Sequence, residues 1–282
     1  MKGHGALDGI AKHWNENMNA VILAAGRGTR MGRYGESIPK GMLLFDGQPL
    51  LRHQIDALHQ GGIESVYVVT GYRKECIDLP DVEYFHNPDY ATTNMVESLL
   101  CARSVLKNDV LVAYADILFT PELVTKMIEQ TADIAVAVDE SWKAYWKLRY
   151  GTTEEDLESL TVSEAGLITS LGQPVSSSEN IDYRYIGMIR FNQLGMNMLL
   201  DVYDKKKSER SSWLQSGKPF ELGYMTDLLD EMIRMGVQVL PCVTQHGWLE
   251  FDTAEDYELA CRLKKENRLS SLLDLQKGVS GL

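Results

Sequence analysis

Between Leu23 and Gly32 the chain reads Leu-Ala-Ala-Gly-Arg-Gly-Thr-Arg-Met-Gly, with Pro39-Lys40 following downstream. Small residues at Ala24, Ala25, Gly26 and Gly28 let backbone amides approach a ligand closely, because a side chain there would take the space of a base or of phosphates. With Leu23 they make one wall of a nucleotide site. Arg27, Arg30 and Lys40 supply charge to phosphate oxygens. Two common glycine loops are excluded. The dinucleotide fingerprint needs a third glycine where Met31 stands, and a P-loop needs Gly-Lys-Ser/Thr after its second glycine. An isolated Gly-x-Gly beside arginines is ordinarily a surface connection. Here the small run, both arginines and Pro39-Lys40 coincide, which favours a triphosphate.

A triphosphate calls for a divalent cation, and hard oxygen ligands hold magnesium. Asp116 directly follows the apolar run from Val110 to Ala115, and Asp252 closes the run from Trp248 to Phe251. Both therefore project at the carboxyl edge of a sheet. Each also precedes a helix, where aspartate is a common N-cap; beside the glycine loop the balance tips towards Mg2+, and Thr120 and Thr253 can take the capping duty. Glu250 is placed to assist them as a further ligand or a supporting carboxylate.

The elements that position these residues read as an α/β fold. Asn19 to Ala25 is a short apolar run stopped by glycine, as in a strand buried on both faces of a parallel sheet. Gly26 to Lys40 is a long exposed loop, because Pro39 disfavours helix at Ile38. A helix from Leu50 to Gln60 follows, carrying Leu51, Ile55 and Leu58 at helical spacing, and Gly61-Gly62 ends it before a strand from Ser65 to Thr70. The alternation continues with a strand near Val82 to Phe85, a helix from Asn94 to Leu106, a strand from Val110 to Ala115, a helix from Pro121 to Gln130 and a strand from Ile134 to Val138. A doubly wound sheet is the economical reading. From Trp142 to Phe191 the segments shorten and turn β-like, including Lys147 to Tyr150, as for a small antiparallel lid inserted at about 142–191. Helices at Asn192 to Asp204 and Tyr224 to Met235, a strand from Val237 to Cys242 and a helix opening near Thr253 complete a single domain over 19–263. An N-terminal extension of 1–18 and a C-terminal helix or tail of 264–282 flank it. Asp204 to Ser212, with Lys205-Lys206-Lys207, reads as a solvated loop.

Composition narrows the function classes. The 282 residues are 44% hydrophobic and 24% charged, an ordinary globular balance. The formal net charge of -12 disfavours extended contact with nucleic acid, which depends on Lys and Arg neutralising many phosphates. No apolar run approaches the roughly 20 residues of a membrane span, and Met1 to Asn17 lacks a secretory pattern, so the expected location is cytoplasmic. Four scattered cysteines form no metal or disulfide pattern. A homodimer is left open.

Leu23 to Lys40 resembles the signature loop of the nucleoside-diphosphate-sugar pyrophosphorylase-like nucleotidyltransferases, and the likeness extends from Asn19 to about Leu263. It implies the family's Rossmann-like fold, a mixed and mainly parallel sheet flanked by helices. It also implies Arg30 and Lys40 on phosphates, the Ala24 to Gly26 backbone on the base, and Asp116 and Asp252 as the two metal aspartates. One departure stands out: many sugar-specific members carry an acid two residues before the first metal aspartate, where this chain has Tyr114. Asn87-Pro-Asp-Tyr-Ala91 with Asn94 and Ser98, Tyr145 to Gly151, and Glu250 to Tyr257 are similar to cytidylyltransferases acting on phosphocholine or on small phosphonates such as 2-aminoethylphosphonate. That similarity implies CTP as donor, with Asn94 and Ser98 near the pyrimidine. On the acceptor side it implies Trp146 and Tyr224 as aromatic walls, together with Tyr185, Glu250 and Arg149, the last suited to an anion or phosphonate. Trp142, Tyr145 and Trp146 equally admit packing of the lid against the sheet.

The expected activity is Mg2+-dependent transfer of CMP from CTP to a small phosphonate or phosphate acceptor, with release of pyrophosphate. The acceptor oxygen is ionised near neutral pH, so positioning and charge neutralisation carry the reaction without a general base. Lys40, Arg30 and Asp116 are its catalytic residues. Two alternatives are a sugar-1-phosphate transferase using UTP, dTTP or GTP, and a non-catalytic nucleotide-binding regulatory subunit. Tyr114 argues against the first, and retention of Lys40, Asp116 and Asp252 against the second.

Overall fold

The computed structural model describes residues 18–275. The expected N-terminal extension lies outside them but for Met18, as does the end of the tail. The chain opens with β1 (Met18–Ala24), whose side chains alternate between two apolar cores: Ala20, Ile22 and Ala24 enter one, Val21 and Leu23 the other. Burial on both faces is why the strand reads as a continuous apolar run. A short hairpin of β2 (Leu44–Phe45) and β3 (Gln48–Pro49) leads into α1 (Leu50–Gln60), and β4 (Ser65–Thr70) then pairs parallel with β1. β5 (Glu83–His86) extends the sheet beyond β4, and α2 (Met95–Cys101) returns the chain to β6 (Asp109–Tyr114), parallel to β1 on its other side. β7 (Ile117–Phe119), α3 (Pro121–Ile128), β8 (Ile134–Asp139) and α4 (Trp142–Tyr150) come next.

The small hairpin β9 (Glu158–Val162) and β10 (Ile168–Pro174) is antiparallel and separate from the main sheet. β11 (Arg184–Phe191) enters the main sheet antiparallel between β6 and β8. The chain ends through α5 (Gln193–Glu209), α6 (Met225–Arg234), β12 (Val239–Thr244), β13 (Trp248–Glu250) and α7 (Ala254–Lys265). The main sheet has the order β12-β8-β11-β6-β1-β4-β5. Side chains of α1, α3, α4 and α7 pack in the core on one face, and those of α2, α5 and α6 in the core on the other. This is the expected mixed, mainly parallel sheet flanked by helices, with a small antiparallel element.

Three segments differ from the sequence reading. Lys147 to Tyr150 is the last turn of α4, not a strand: Trp142, Tyr145 and Trp146 recur at helical spacing and are buried together, and this periodicity overrides the β preference of aromatic residues. β11 is a central strand rather than part of a lid, and every residue in it is buried. Lys205 to Lys207 continue α5, because Lys206 is buried, pairs with Glu231 of α6 at 2.6 Å and lies over the Trp213 ring. Two more local shifts occur. The 26–40 connection contains a 3-10 segment at Thr29–Tyr34, with Met31 fully buried, and Leu269, Leu272 and Leu273 beyond α7 pack into the core.

The β9-β10 hairpin is seated on α6 through Gly172. Its φ is +77°, within an irregularity of the ladder, and a Cβ there would lie 2.5 Å from the Cβ of Thr226. Gly172→Ala is therefore expected to destabilise the protein by about 1–3 kcal/mol, from left-handed backbone strain and overpacking together. Urea unfolding checks this, and an unchanged midpoint would mean that the hairpin is not seated there.

Candidate active site

Lys40 follows Pro39 and opens a single 3-10 turn, Lys40–Met42. Its side chain runs past Gly28, where φ is +60° and a Cβ would sit 3.1 Å from the Lys40 Cβ and 3.2 Å from its Cε. The glycine thus provides both the left-handed turn and the channel for the lysine. The Lys40 Nζ ends between two carboxylates, donating to Asp116 Oδ2 at 3.2 Å and Asp252 Oδ1 at 3.0 Å. Burial works against its charge, but Asp116 and Asp252 outweigh that and raise its pKa above the ordinary lysine value.

Asp116 lies between β6 and β7, and Asp252 lies just beyond β13. β7 and β13 pair antiparallel with Ile117 opposite Glu250, and the Phe251 N–H donates to the Asp116 carbonyl at 2.7 Å. That ribbon brings together two aspartates 136 positions apart in the chain. The turn carrying Asp116 is fixed from below by the fully buried Gln54 of α1, whose amide donates to the carbonyls of Tyr114 and Ile117. Burial pushes the Asp116 pKa up; Lys40 opposes the shift, while Glu250 and Asp252 add to it. Among the described residues no group of three or more His, Cys, Asp or Glu side chains is arranged to hold a metal ion. Two carboxylates nevertheless suit magnesium, which ordinarily takes one or two from the protein and completes its shell with water and substrate phosphates.

Behind Asp252 lies a buried clamp. Arg149 of α4 donates from Nε and Nη2 to the two oxygens of Asp256, both at 2.8 Å, and from Nη1 to Glu250. Asp256 in turn accepts from the backbone N–H groups of Asp252 at 3.1 Å and Thr253 at 2.9 Å. Thr253 caps α7 by accepting from the Asp256 N–H at 3.2 Å. The helix cap is therefore supplied by Thr253, and the Asp252 side chain faces Lys40 and Arg30. Glu250 is partly buried, which by itself would raise its pKa, but Arg149 and Arg184 hold it below the ordinary value.

Two cavities meet at Asp116. One, of about 150 Å³, is lined by Leu23, Ala24, Ala25, Gly26, Gly28 and Lys40, and closed by Tyr90, Thr93, Asn94 and Ser98. The other, of about 570 Å³, is bounded by the β9-β10 hairpin, the start of β11, the loop at 215–218, the start of α6 and the Glu250 to Asp252 segment. Met95, Tyr114 and Asp116 belong to both.

The expected donor residues converge on the smaller cavity, with two differences of role. Asn94 caps α2 by accepting from the Met95 N–H, and the Ser98 hydroxyl is engaged by Asn94 and Asn87, so both shape the wall through local bonds. Arg27 is exposed and lies against Tyr72, outside the lining. Arg30, 68% exposed, pairs with Asp252 Oδ2 at 2.5 Å and borders the larger cavity.

Of the expected acceptor residues, Tyr185, Tyr224 and Glu250 line the larger cavity, whereas Trp146 and Arg149 do not. Trp146 is fully buried, donates its indole N–H to the Glu155 carbonyl and lies beneath both Arg149 and Arg184. Arg149 has no exposed side-chain area and is consumed by Glu250 and Asp256. The correction has one cause: at helical spacing, the face of α4 that carries Trp142, Tyr145, Trp146 and Arg149 points into the core.

The MobA-like NTP transferase domain matches residues 20–179, more than half of the chain. The protein belongs to that family. It is similar to the CTP:phosphoglutamine cytidylyltransferase of Campylobacter jejuni, with 31% identity over 86% of this chain and 98% of that protein. The choline-phosphate cytidylyltransferase of Streptococcus pneumoniae is 30% identical over 54% of this chain and 68% of that protein. In fold, this nucleotidyltransferase matches the solved CTP:phosphocholine cytidylyltransferase of Streptococcus pneumoniae with a TM-score of 0.68, at 20% identity over 88% of this chain and 99% of that one.

Sequence reasoning missed several residues around the two cavities. Gln54 was hidden among the apolar positions of α1, although a glutamine on that buried face was itself a signal. Glu158, Arg184, Gln215 and Lys218 border the larger cavity, and their segments carry no motif. The clamp gives a direct test. Replacing Arg149 with Met leaves the buried Asp256 and the partly buried Glu250 without their cation, so unfolding in urea is expected to show a loss of about 3–5 kcal/mol. A loss of acceptor binding with stability intact would instead place Arg149 on the acceptor.

Proposed function

We propose that this nucleotidyltransferase transfers CMP from CTP to a small molecule bearing a phosphate or phosphonate, and releases pyrophosphate. The observation that carries the reading is the junction of the two cavities at Asp116, beside the Lys40 ammonium. A narrow cavity walled by backbone suits a nucleotide, and the wider one next to it suits the acceptor. The names of the relatives support CTP as donor and small phosphorylated acceptors such as phosphoglutamine or phosphocholine.

In this reading Asp116 and Asp252 hold Mg2+, which when bound neutralises triphosphate charge and the charge developing at the α-phosphorus. Lys40 and Arg30 stand at the same carboxylates and turn their positive charge to phosphate oxygens of the two substrates. The backbone from Ala24 to Gly28 orients the nucleotide. An acceptor oxygen, already ionised near neutral pH, attacks the α-phosphorus. The new O–P bond forms as the bond to the β-phosphate oxygen breaks, and the electron pair leaves with pyrophosphate. No side chain has to remove a proton, so the protein acts by positioning and by fixed charge.

The test is pyrophosphate release with Mg2+ for CTP, UTP, dTTP and GTP against phosphocholine, 2-aminoethylphosphonate, phosphoglutamine and glucose-1-phosphate. Turnover confined to CTP with a small phosphate or phosphonate is expected. Asp116→Asn, Asp252→Asn and Lys40→Met are each expected to lower kcat/KM by roughly 10²–10³. Turnover only with glucose-1-phosphate, or an active Asp116→Asn variant, would overturn the proposal.

A further inference from the structure

Three residues border both cavities: Met95, Asp116 and Tyr114. Asp116 is engaged by Lys40, and methionine is a flexible side chain that yields to what lies against it. Tyr114 is neither charged nor free to move. Its backbone carbonyl accepts from the Gln54 amide at 2.7 Å. Its ring meets that of Tyr185 edge to face, with centroids 5.8 Å apart and planes at 87°.

Behind the ring stands Gly187. Met188 of β11 pairs with Ala113 of β6 in the antiparallel ladder, so the preceding residue of β11 falls beside Tyr114. A Cβ on Gly187 would lie 2.9 Å from Tyr114 Cδ2 and 3.1 Å from its Cγ. Gly187 also has a φ of +86° and sits within the register shift between Tyr185 and Ile189. An irregular strand with bare backbone at this point seats the tyrosine ring, and a side chain there would drive the ring out of its place. The Tyr114 hydroxyl is engaged as well, because the Tyr185 hydroxyl donates to it. What the half-buried Tyr114 offers to the two cavities is therefore the surface of a fixed ring.

That ring lies at the rim where Asp116 and the Lys40 ammonium mark the meeting point of the substrates. An acceptor coming from the larger cavity brings its phosphorus group to this rim, and the atoms next to its phosphorus then lie against Tyr114. A side chain packed on all its other sides gives way little to an added methyl group. Resting on the cytidylyltransferase reading above, we propose that Tyr114, seated by Gly187, is a specificity-determining residue that sets the clearance between the two cavities. It admits acceptors that are slender at the atom bonded to phosphorus and rejects those branched there.

The test uses methyl-, ethyl-, isopropyl- and tert-butylphosphonate, which share the attacking group and grow bulkier at the carbon bonded to phosphorus. Pyrophosphate release with CTP and Mg2+ gives kcat/KM, and calorimetry beside a non-hydrolysable CTP analogue gives affinity without turnover. In the wild type kcat/KM is expected to drop by roughly 10–100-fold between ethyl and isopropyl, the discrimination that one carbon meets in a closed pocket. Tyr114→Ala is expected to flatten that drop, and Tyr114→Phe, which keeps the ring, to retain it. Gly187→Ala, which presses the ring towards the rim, is expected to bring the drop forward to ethyl, and melting curves separate misfolding from altered selectivity. A wild type indifferent to branching, or a drop that persists in Tyr114→Ala while activity falls evenly across the series, would overturn the proposal. So would a drop lost in Tyr114→Phe, which would place the selection on the hydroxyl. Transfer to all four acceptors alike overturns the clearance and leaves the transferase standing. Binding that weakens at isopropyl in the wild type but not in Tyr114→Ala, without any turnover, upholds the clearance and sinks cytidylyl transfer; no binding and no turnover overturns both.

Discussion

The site is organised around one ammonium group held between two carboxylates. Asp116 and Asp252 would repel one another in a partly buried setting, and Lys40, 3.2 and 3.0 Å away, offsets that repulsion together with Arg30 on Asp252. Much of the surrounding architecture serves that contact. Gly28 leaves room for the lysine stem, Gln54 fixes the turn under Asp116, and the β7-β13 ribbon delivers Asp252 to the same point. The same contact makes the place chemically useful, since groups already bearing charge on a rigid frame need no reorganisation when a highly charged ligand arrives.

Beneath this contact the protein keeps a second, drier layer of charge. Arg149 satisfies Glu250 and Asp256, and Asp256 holds the backbone at Asp252 and Thr253. The Tyr145 hydroxyl accepts from the Glu250 N–H at 3.0 Å, so α4 braces β13 through two side chains. A buried arginine with both carboxylates satisfied is weak support for stability but strong support for geometry, because loss of any partner leaves a charge with no solvent.

The convergence of Leu23 to Gly28, Lys40 and Asp116 on one cavity was legible because it depends on what the sequence states directly: small residues, a proline-lysine step and an aspartate at a strand end. Strand β1 and its neighbours were equally plain, since burial on both faces leaves uninterrupted apolar runs. Legibility failed where a residue's role depends on which face it occupies. Arg149 and Trp146 lie in a segment rich in aromatic and basic residues that reads equally as strand or helix, and only the spacing from Trp142 to Arg149 sends both inward. Glu158 begins a short strand in a region without motif, and its environment is set by β11, α6 and the 215–218 loop, all distant in sequence. Lys206 looked solvated within a run of three lysines, whereas Glu231 and Trp213 bring it inside.

The two cavities draw on different stretches of chain. The smaller is built wholly from residues between Leu23 and Asp116, while the larger, apart from Arg30, Ile117 and the shared rim at Met95, Tyr114 and Asp116, is built from residues between Asp156 and Asp252. Substitutions in the hairpin, the start of β11 or the 215–218 loop therefore lie outside the backbone cradle at Ala24 to Gly28. Such a division offers a protein engineer a natural seam along which one cavity can be reshaped without rebuilding the other.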